Sequence, residues 1–215
     1  MNLTEEQRIA IKEANIARIA KKNYRYIDWL PILESPNMRS QEELIGRMSV
    51  MNALINISFE APVHVVQQWI EDQNLTAHLS TWEKEILTKT QEDLDQYEIN
   101  TLRWYLEGLW ALMWASKMIP HLDETEWNDE SMAMMLPNLE EGEDNSRLQQ
   151  VTTMHTAENI YTMLDFYYRL HWYCVDERIK GQEAVINEGI VYERRRALEW
   201  LINNETDWDE IEMGT

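Results

Sequence analysis

Apolar residues along this chain recur mostly at intervals of three and four, the repeat of a helix that buries one face. Leu44, Met48, Met51 and Ile55 step by four, three and four and predict such a helix. It opens at Ser40-Gln41-Glu42-Glu43, a capping box in which a Ser hydroxyl and a carboxylate three residues on satisfy each other's free amides. Thr4-Glu5-Glu6-Gln7 is a second box, opening a helix to about Lys22 with Ile9, Ile16 and Ile19 inward. Tyr24 to Pro36 reads as a connector, because Pro31 and Pro36 forbid regular helix there. Pro62 suits the first position of a third helix carrying Val66, Trp69 and Ile70. Ser80-Thr81-Trp82-Glu83 opens a fourth, with Ile86 and Leu87 inside.

The longest helix is expected from about Gln91 to Met118, with Asn100 as a candidate break. Leu102, Tyr105, Leu106, Leu109, Leu112 and Met113 form a broad stripe, and Trp104, Trp110 and Trp114 extend it almost all round. A helix apolar on every side belongs in the centre of a bundle. Thr156 caps a further long helix to about Ile179, with Ile160, Leu164, Tyr167 and Cys174 on one face and Gly181 as its stop. A last helix runs from about Asn187 to Asn203 on Ile190, Val191, Leu198, Leu201 and Ile202. A short helix fits near Asp129 to Leu136, and Gln149 to Met154 is the one stretch left open to a short strand. No repeat or low-complexity block interrupts the pattern. The expectation is an all-α, single-domain bundle of about seven or eight helices.

Composition agrees. Of 215 residues, 44% are hydrophobic, with ten Trp, nine Tyr and twelve Met against only six Gly and five Pro. That is ample core material and few breakers. The charge changes the picture more: 39 acids face 19 bases, a formal net charge of −20. Such a surface repels nucleic acid and anionic lipid and attracts a basic partner. Acidity that only maintains solubility is the plainer reading. Residues 118–146 concentrate the excess: Asp123, Glu124, Glu126, Asp129, Glu130, Glu140, Glu141, Glu143 and Asp144 occur there with no Lys or Arg. This solvated loop region is the expected mobile or partner-binding segment. The C-terminal tail is acidic as well.

Cys174 is the sole cysteine, so no internal disulfide forms, which suits a reducing compartment. The N-terminus is amphipathic and mixed in charge, without the apolar run of a secretory signal, and no window is apolar enough for a membrane span. These readings together predict a cytoplasmic protein.

Motifs for chemistry are absent. There is no phosphate loop, dinucleotide fingerprint, paired cysteine or nucleophile elbow, and no cofactor is called for. No two of the five histidines stand at i, i+4, so no helical metal pair exists. Cys174, between Tyr173 and Val175 in mid-helix, is expected to be buried and inert. His171 follows Asp165 and Arg169, which stand one turn apart and can pair. It reads either as a general base or as a polar anchor inside an aromatic bundle. Arg194, in the run Glu193-Arg194-Arg195-Arg196, binds either a ligand anion or an internal carboxylate; Asp165, Glu107 and Asp176 are candidate internal partners. Trp29, Trp127 and Trp208 fall in loops or the tail, where exposure would signal a binding surface.

The C-terminal third carries Asp165…Tyr168-Arg169-Leu170-His171-Trp172, then Gly189-Ile190-Val191-Tyr192-Glu193-Arg194…Ala197-Leu198-Glu199-Trp200-Leu201, and closes with Asp207-Trp208-Asp209. Weaker echoes are Arg103…Glu107-Gly108-Leu109-Trp110-Ala111-Leu112-Met113-Trp114-Ala115 and Leu79-Ser80-Thr81-Trp82-Glu83. In these residues the chain resembles a bacterial family known only as domain of unknown function 4272. It departs from that pattern at Glu199, near Ser116 and at Gly214-Thr215. The resemblance implies a helical, single-domain bacterial protein and no particular activity.

The leading functional expectation is therefore a binding protein: a cytoplasmic immunity or antitoxin protein that neutralises a basic bacterial toxin domain by direct contact, using the acids of 118–146. The alternatives are an enzyme with a site around His171, Arg169, Glu193 and Arg194, and a helical scaffold without activity. Open pocket or buried mutual pairing of those side chains separates the first two.

Overall fold

A computed structural model describes residues 3–215. These residues form an all-α single domain of nine helices with no strand, seven of the helices having seven residues or more. Capping boxes fix four helix starts, three of them expected. Thr4 with Gln7 opens α1 (Glu5–Lys21), Ser40 with Glu43 opens α2 (Gln41–Ile57), and Ser80 with Glu83 opens α4 (Thr81–Leu87). Between the latter two lies α3 (Val63–Asp72), with Pro62 one position earlier than expected, at its N-cap.

The long central helix, α5 (Gln96–Ala115), begins later than the apolar pattern suggested. Asp95 accepts the Glu98 amide at 2.8 Å and sets the start, while Gln91–Asp93 forms a separate 3-10 turn. Asn100 does not break it. Two short helices follow, α6 (Met132–Met135) and α7 (Ser146–Gln149). Thr156 then caps α8 (Ala157–Ile179) and Asn187 caps α9 (Glu188–Ile202). Gly181 sits at φ +71°, the left-handed geometry that ends a helix at little cost to glycine. The strand left open at 149–154 does not form. Gln149 belongs to α7 instead, Val151 O accepts from the Gln41 amide group at 2.8 Å, and the nearby His155 N–H reaches Ala115 O at 2.8 Å.

The strongest packing runs from α1 to α8, α8 to α9, α9 to α5, α5 to α2 and α2 to α3. Every residue of α5 from Glu107 to Ala115 is buried, which makes it central as expected. The helix α2 is enclosed too: Gly46 through Ile55 are all buried, more than the single stripe its pattern predicts. Besides α3 and α5, the acidic segment covers it, where Asn52 donates to Pro137 O at 3.0 Å.

The inward face of α1 differs from expectation. Ile9 is exposed and Ile16 half-buried, and only Ile19 of the three is fully inside. Arg8, Lys12 and Asn15 turn inward instead. Arg8 donates to Leu33 O, Lys12 to Asp28 O and Leu30 O, and Asn15 to Thr162 O. The irregular connector 24–36 leaves carbonyls without helical partners, and Arg8 and Lys12 satisfy three of them, while Asn15 joins α1 to α8. The connector is pinned at its far end by Asn37 N–H to Ile202 O, 2.8 Å. No helix among the described residues is long and apolar enough to cross a membrane.

Candidate functional site

The acidic segment 118–146 is not a free loop. Arg194 donates to Asp123 O and to Glu126 O, Arg147 donates to Met134 O and Leu136 O, and Trp69 donates its indole N–H to Glu143 O. Anchored in this way, its carboxylates separate into four kinds. Glu124 is fully buried, bonded by Lys22 at 2.6 Å and by the Tyr24 hydroxyl at 3.2 Å. It is therefore structural and unavailable to a partner, a correction to its place among the partner-binding acids. Burial and the Glu124 carboxylate push the Tyr24 hydroxyl well above its ordinary range.

Asp123, Asp129 and Asp144 each accept the amide two residues on, which closes a local turn. Those hydrogen bonds, from Thr125, Ser131 and Ser146, hold the three carboxyls below the usual aspartate range, so they stay ionised. Glu143 is paired to Arg147 at 2.8 Å. Glu126, Glu130, Glu140 and Glu141 are exposed. The acids thus form two lobes, one at 123–130 and one at 140–144 beside the acidic end of α3.

Around the first lobe three clefts meet at Trp127, Asn128 and Asp129. The first, about 420 Å³, lies between Trp110, Pro120, Trp127 and Met135, with Asp123, Glu126 and Asp129 on its wall. The second, about 380 Å³, is lined by Phe59, Leu106, Met132 and Leu136. The third, about 320 Å³, runs along Trp104 and Trp127 to Glu107. Trp127 is 57% exposed and stacks on Trp104 with ring centroids 5.7 Å apart. Trp104 in turn lies against Gly189, where a Cβ would come within 2.4 Å of its ring. Trp29 is also exposed, whereas Trp208 is buried against Tyr105 and Trp200.

Of the four residues of the enzyme alternative, Arg169, His171 and Arg194 fall into separate, internally bonded networks, and Glu193 joins none of them. Asp165 and Arg169 do pair, as their spacing predicts, but in the interior: Arg169 Nη2 donates to Asp165 Oδ1 at 2.7 Å, and Asn15 donates to Asp165 Oδ2 at 2.9 Å. His171 Nδ1 lies 2.7 Å from Arg195 Nη1. A guanidinium only donates, so Nδ1 is the acceptor and the ring proton sits on Nε2. Desolvation, then the Arg195 charge, lowers His171 to about 4, and the neutral ring stands edge-on to Tyr192. Arg195 continues to Glu199 at 3.3 Å and to the carbonyls of Met213 and Gly214, which ties down the acidic tail.

Arg194 is fully buried and bonds Glu107 Oε2 at 2.9 Å through Nε and the Tyr167 hydroxyl at 3.1 Å. Glu107 Oε1 accepts from the Asn128 N–H at 2.9 Å and from its amide side chain at 2.7 Å. One ion pair between α5 and α9 therefore shapes the turn that carries Trp127. Sequence spacing signalled that some of these arginines face inward, and Glu107 stood among the candidate partners. A fourth buried network joins Arg47, Glu83, Tyr105 and Trp208, and only the capping role of Glu83 was visible beforehand.

Glu193 is the least satisfied of these groups. Its Oε2 is buried and has no hydrogen-bond partner. Desolvation raises the carboxyl to about 7, Arg196 opposes the rise, and Glu107 adds to it. A folded-state value above the unfolded 4.5 means that the native protein holds this proton more tightly. The associated stability is fully present below about pH 4.5 and is lost as pH rises through 7. Glu193→Gln is therefore expected to match wild type near pH 4.5 and to exceed it at pH 8 by up to about 3 kcal/mol, less where solvent reaches the other oxygen. Urea denaturation at the two pH values checks this, and an unchanged gap between them rejects it.

Cys174 is buried, with its thiol pushed up to about 12 by desolvation, as expected of an inert side chain. Among the described residues no three His, Cys, Asp or Glu side chains converge as metal ligands would. No curated protein and no solved structure matches the chain. A family model does, over residues 11–211, a span that includes the Glu107–Arg194 pair, the Trp127 turn and both acidic lobes. The chain belongs to that family, the domain of unknown function DUF4272.

Proposed function

We propose that this protein works by binding a basic protein partner through the acidic segment 118–146, and most concretely that it is an immunity or antitoxin protein that neutralises a basic bacterial toxin domain in the cytoplasm. The observation that carries the reading is the display of Glu126, Asp129, Glu130, Glu140, Glu141 and Asp144 on an anchored surface segment without a lysine or arginine before Arg147. Folding does not neutralise the excess, because among the described residues five bases and six acids are buried. A pre-ordered surface of one sign speeds capture of an opposite one, and fixed carboxylates mimic a phosphate backbone. The enzyme reading has less support. His171 Nδ1 is occupied by Arg195, and Arg169 and Arg194 are sealed against internal carboxylates.

Capture from bacterial lysate, including the products of adjacent genes, at low and high salt tests the proposal. A stoichiometric basic partner is expected, associating roughly 10-fold or more faster at low salt. Neutralising Glu126, Asp129, Glu140 and Glu141 to their amides is expected to abolish that salt dependence. If no basic partner is retained at either salt concentration, the reading fails.

A further inference from the structure

We infer that the cleft beside Trp127 receives an arginine side chain of the partner, its guanidinium laid on the exposed indole and its N–H groups turned to Asp129 and Glu126. The inference rests on the reading that the partner is basic and locates the contact within the acidic segment. The two acidic lobes are not equivalent. The lobe at 140–144 borders a broad depression in which the indole N–H of Trp69 is already bonded to Glu143 O. The lobe at 123–130 offers an aromatic face in the open: Trp127 is 57% exposed, held from behind by Trp104, beside a cleft of about 420 Å³ whose wall carries three carboxylates.

No lysine or arginine lines that cleft. Arg103, on the neighbouring Trp104 cleft, is already engaged by Ser58 O and the Phe59 ring. Asp123 has the Lys22 and Arg194 charges near it, so the charge left uncompensated beside the exposed indole is that of Glu126 and Asp129, and a cation is its complement. Arginine fits better than lysine, because its planar, weakly hydrated guanidinium stacks on an indole while still donating in its own plane to carboxylates. The turns at Thr125 and Ser131 hold Asp123 and Asp129 ionised and in place beforehand. Next to this cleft, the apolar one lined by Phe59, Leu106 and Met132 suits a hydrophobic neighbour of that arginine. A desolvated aromatic anchor beside apolar contact is the arrangement that concentrates binding energy, whereas rim charge mostly sets the encounter rate.

The test is an NMR titration of the tryptophan indole N–H signals with Nα-acetyl-arginine amide, using the citrulline analogue as the uncharged control. Trp127→Phe and Trp110→Phe assign the two signals that matter. A saturable shift of the Trp127 signal is expected with the arginine probe and none with citrulline. Glu126→Gln combined with Asp129→Asn should weaken the binding by roughly five-fold, in keeping with the loss of exposed ion pairs. Glu140→Gln combined with Glu141→Gln should leave it unchanged. A still Trp127 signal, an equal response to citrulline, or equal weakening by the second pair overturns the inference. A basic partner captured from lysate alongside a still Trp127 signal would leave the proposed function standing and remove only this site.

Discussion

Replacing Arg194 with methionine is expected to lower the unfolding free energy by about 3–5 kcal/mol, because Glu107 is then left as an uncompensated charge in the core. Against a typical total of about 5–15 kcal/mol, that leaves a marginal protein. Urea denaturation measures the loss. Hydrogen exchange at residues 123–128 measures a second consequence, since Arg194 also holds the carbonyls of Asp123 and Glu126. The double variant Arg194→Met, Glu107→Met separates the two. Replacing both charges by apolar groups of similar volume is often close to neutral. Global stability is therefore expected to return in large part, while amide protection in 123–128 stays lost. A double variant as unstable as the single one would show that the unsatisfied loop carbonyls, rather than the stranded carboxylate, dominate the cost.

Arg47→Met is expected to cost a similar 3–5 kcal/mol or so, for the same reason at a different joint. Glu83 is fully buried and serves three elements at once. It caps α4 through the Ser80 N–H at 2.8 Å, accepts the Tyr105 hydroxyl of α5 at 2.8 Å, and takes two donors from Arg47 of α2. Arg47 also lies 4.4 Å from the Trp208 ring, so the C-terminal turn packs on the same group. Arg47→Lys tests the geometry rather than the charge. A single ammonium cannot reproduce the two-pronged contact or the stacking, so an intermediate loss is expected. If the lysine variant is as stable as wild type by urea denaturation, charge alone holds this joint. If methionine is tolerated as well, the network contributes little.

What could be read before folding follows from how far each interaction reaches along the chain. Helix starts were legible because a cap joins a side chain to an amide three residues away, and Thr4, Ser40, Ser80 and Thr156 all act so. The start of α5 was misplaced because an apolar run says where a helix is buried, not where it begins; Asp95 decides that. The inward face of α1 was misread for a related reason. Hydrophobic spacing assigns isoleucines to the core, but carbonyls of a connector more than ten residues away required Arg8 and Lys12 there. The acidic segment looked like a solvated loop, since nothing local reveals that Arg194, Trp69 and Asn52 hold its backbone.

By itself the sequence determined the all-α class, most helix boundaries, the central place of α5, the net acidity and its concentration in 118–146, because propensity, capping and charge are properties of short stretches. Tertiary structure alone decided which charges distant in the chain meet. Arg194 and Glu107 are 87 residues apart, and Asn15 and Asp165 are 150 apart. It also decided that Glu124 is interior while Glu126 is not, and that Trp127 rather than Trp208 stands in the open. Burial depends on what the rest of the chain lays over a residue, and that is fixed only when α5, α8 and α9 have closed on one another.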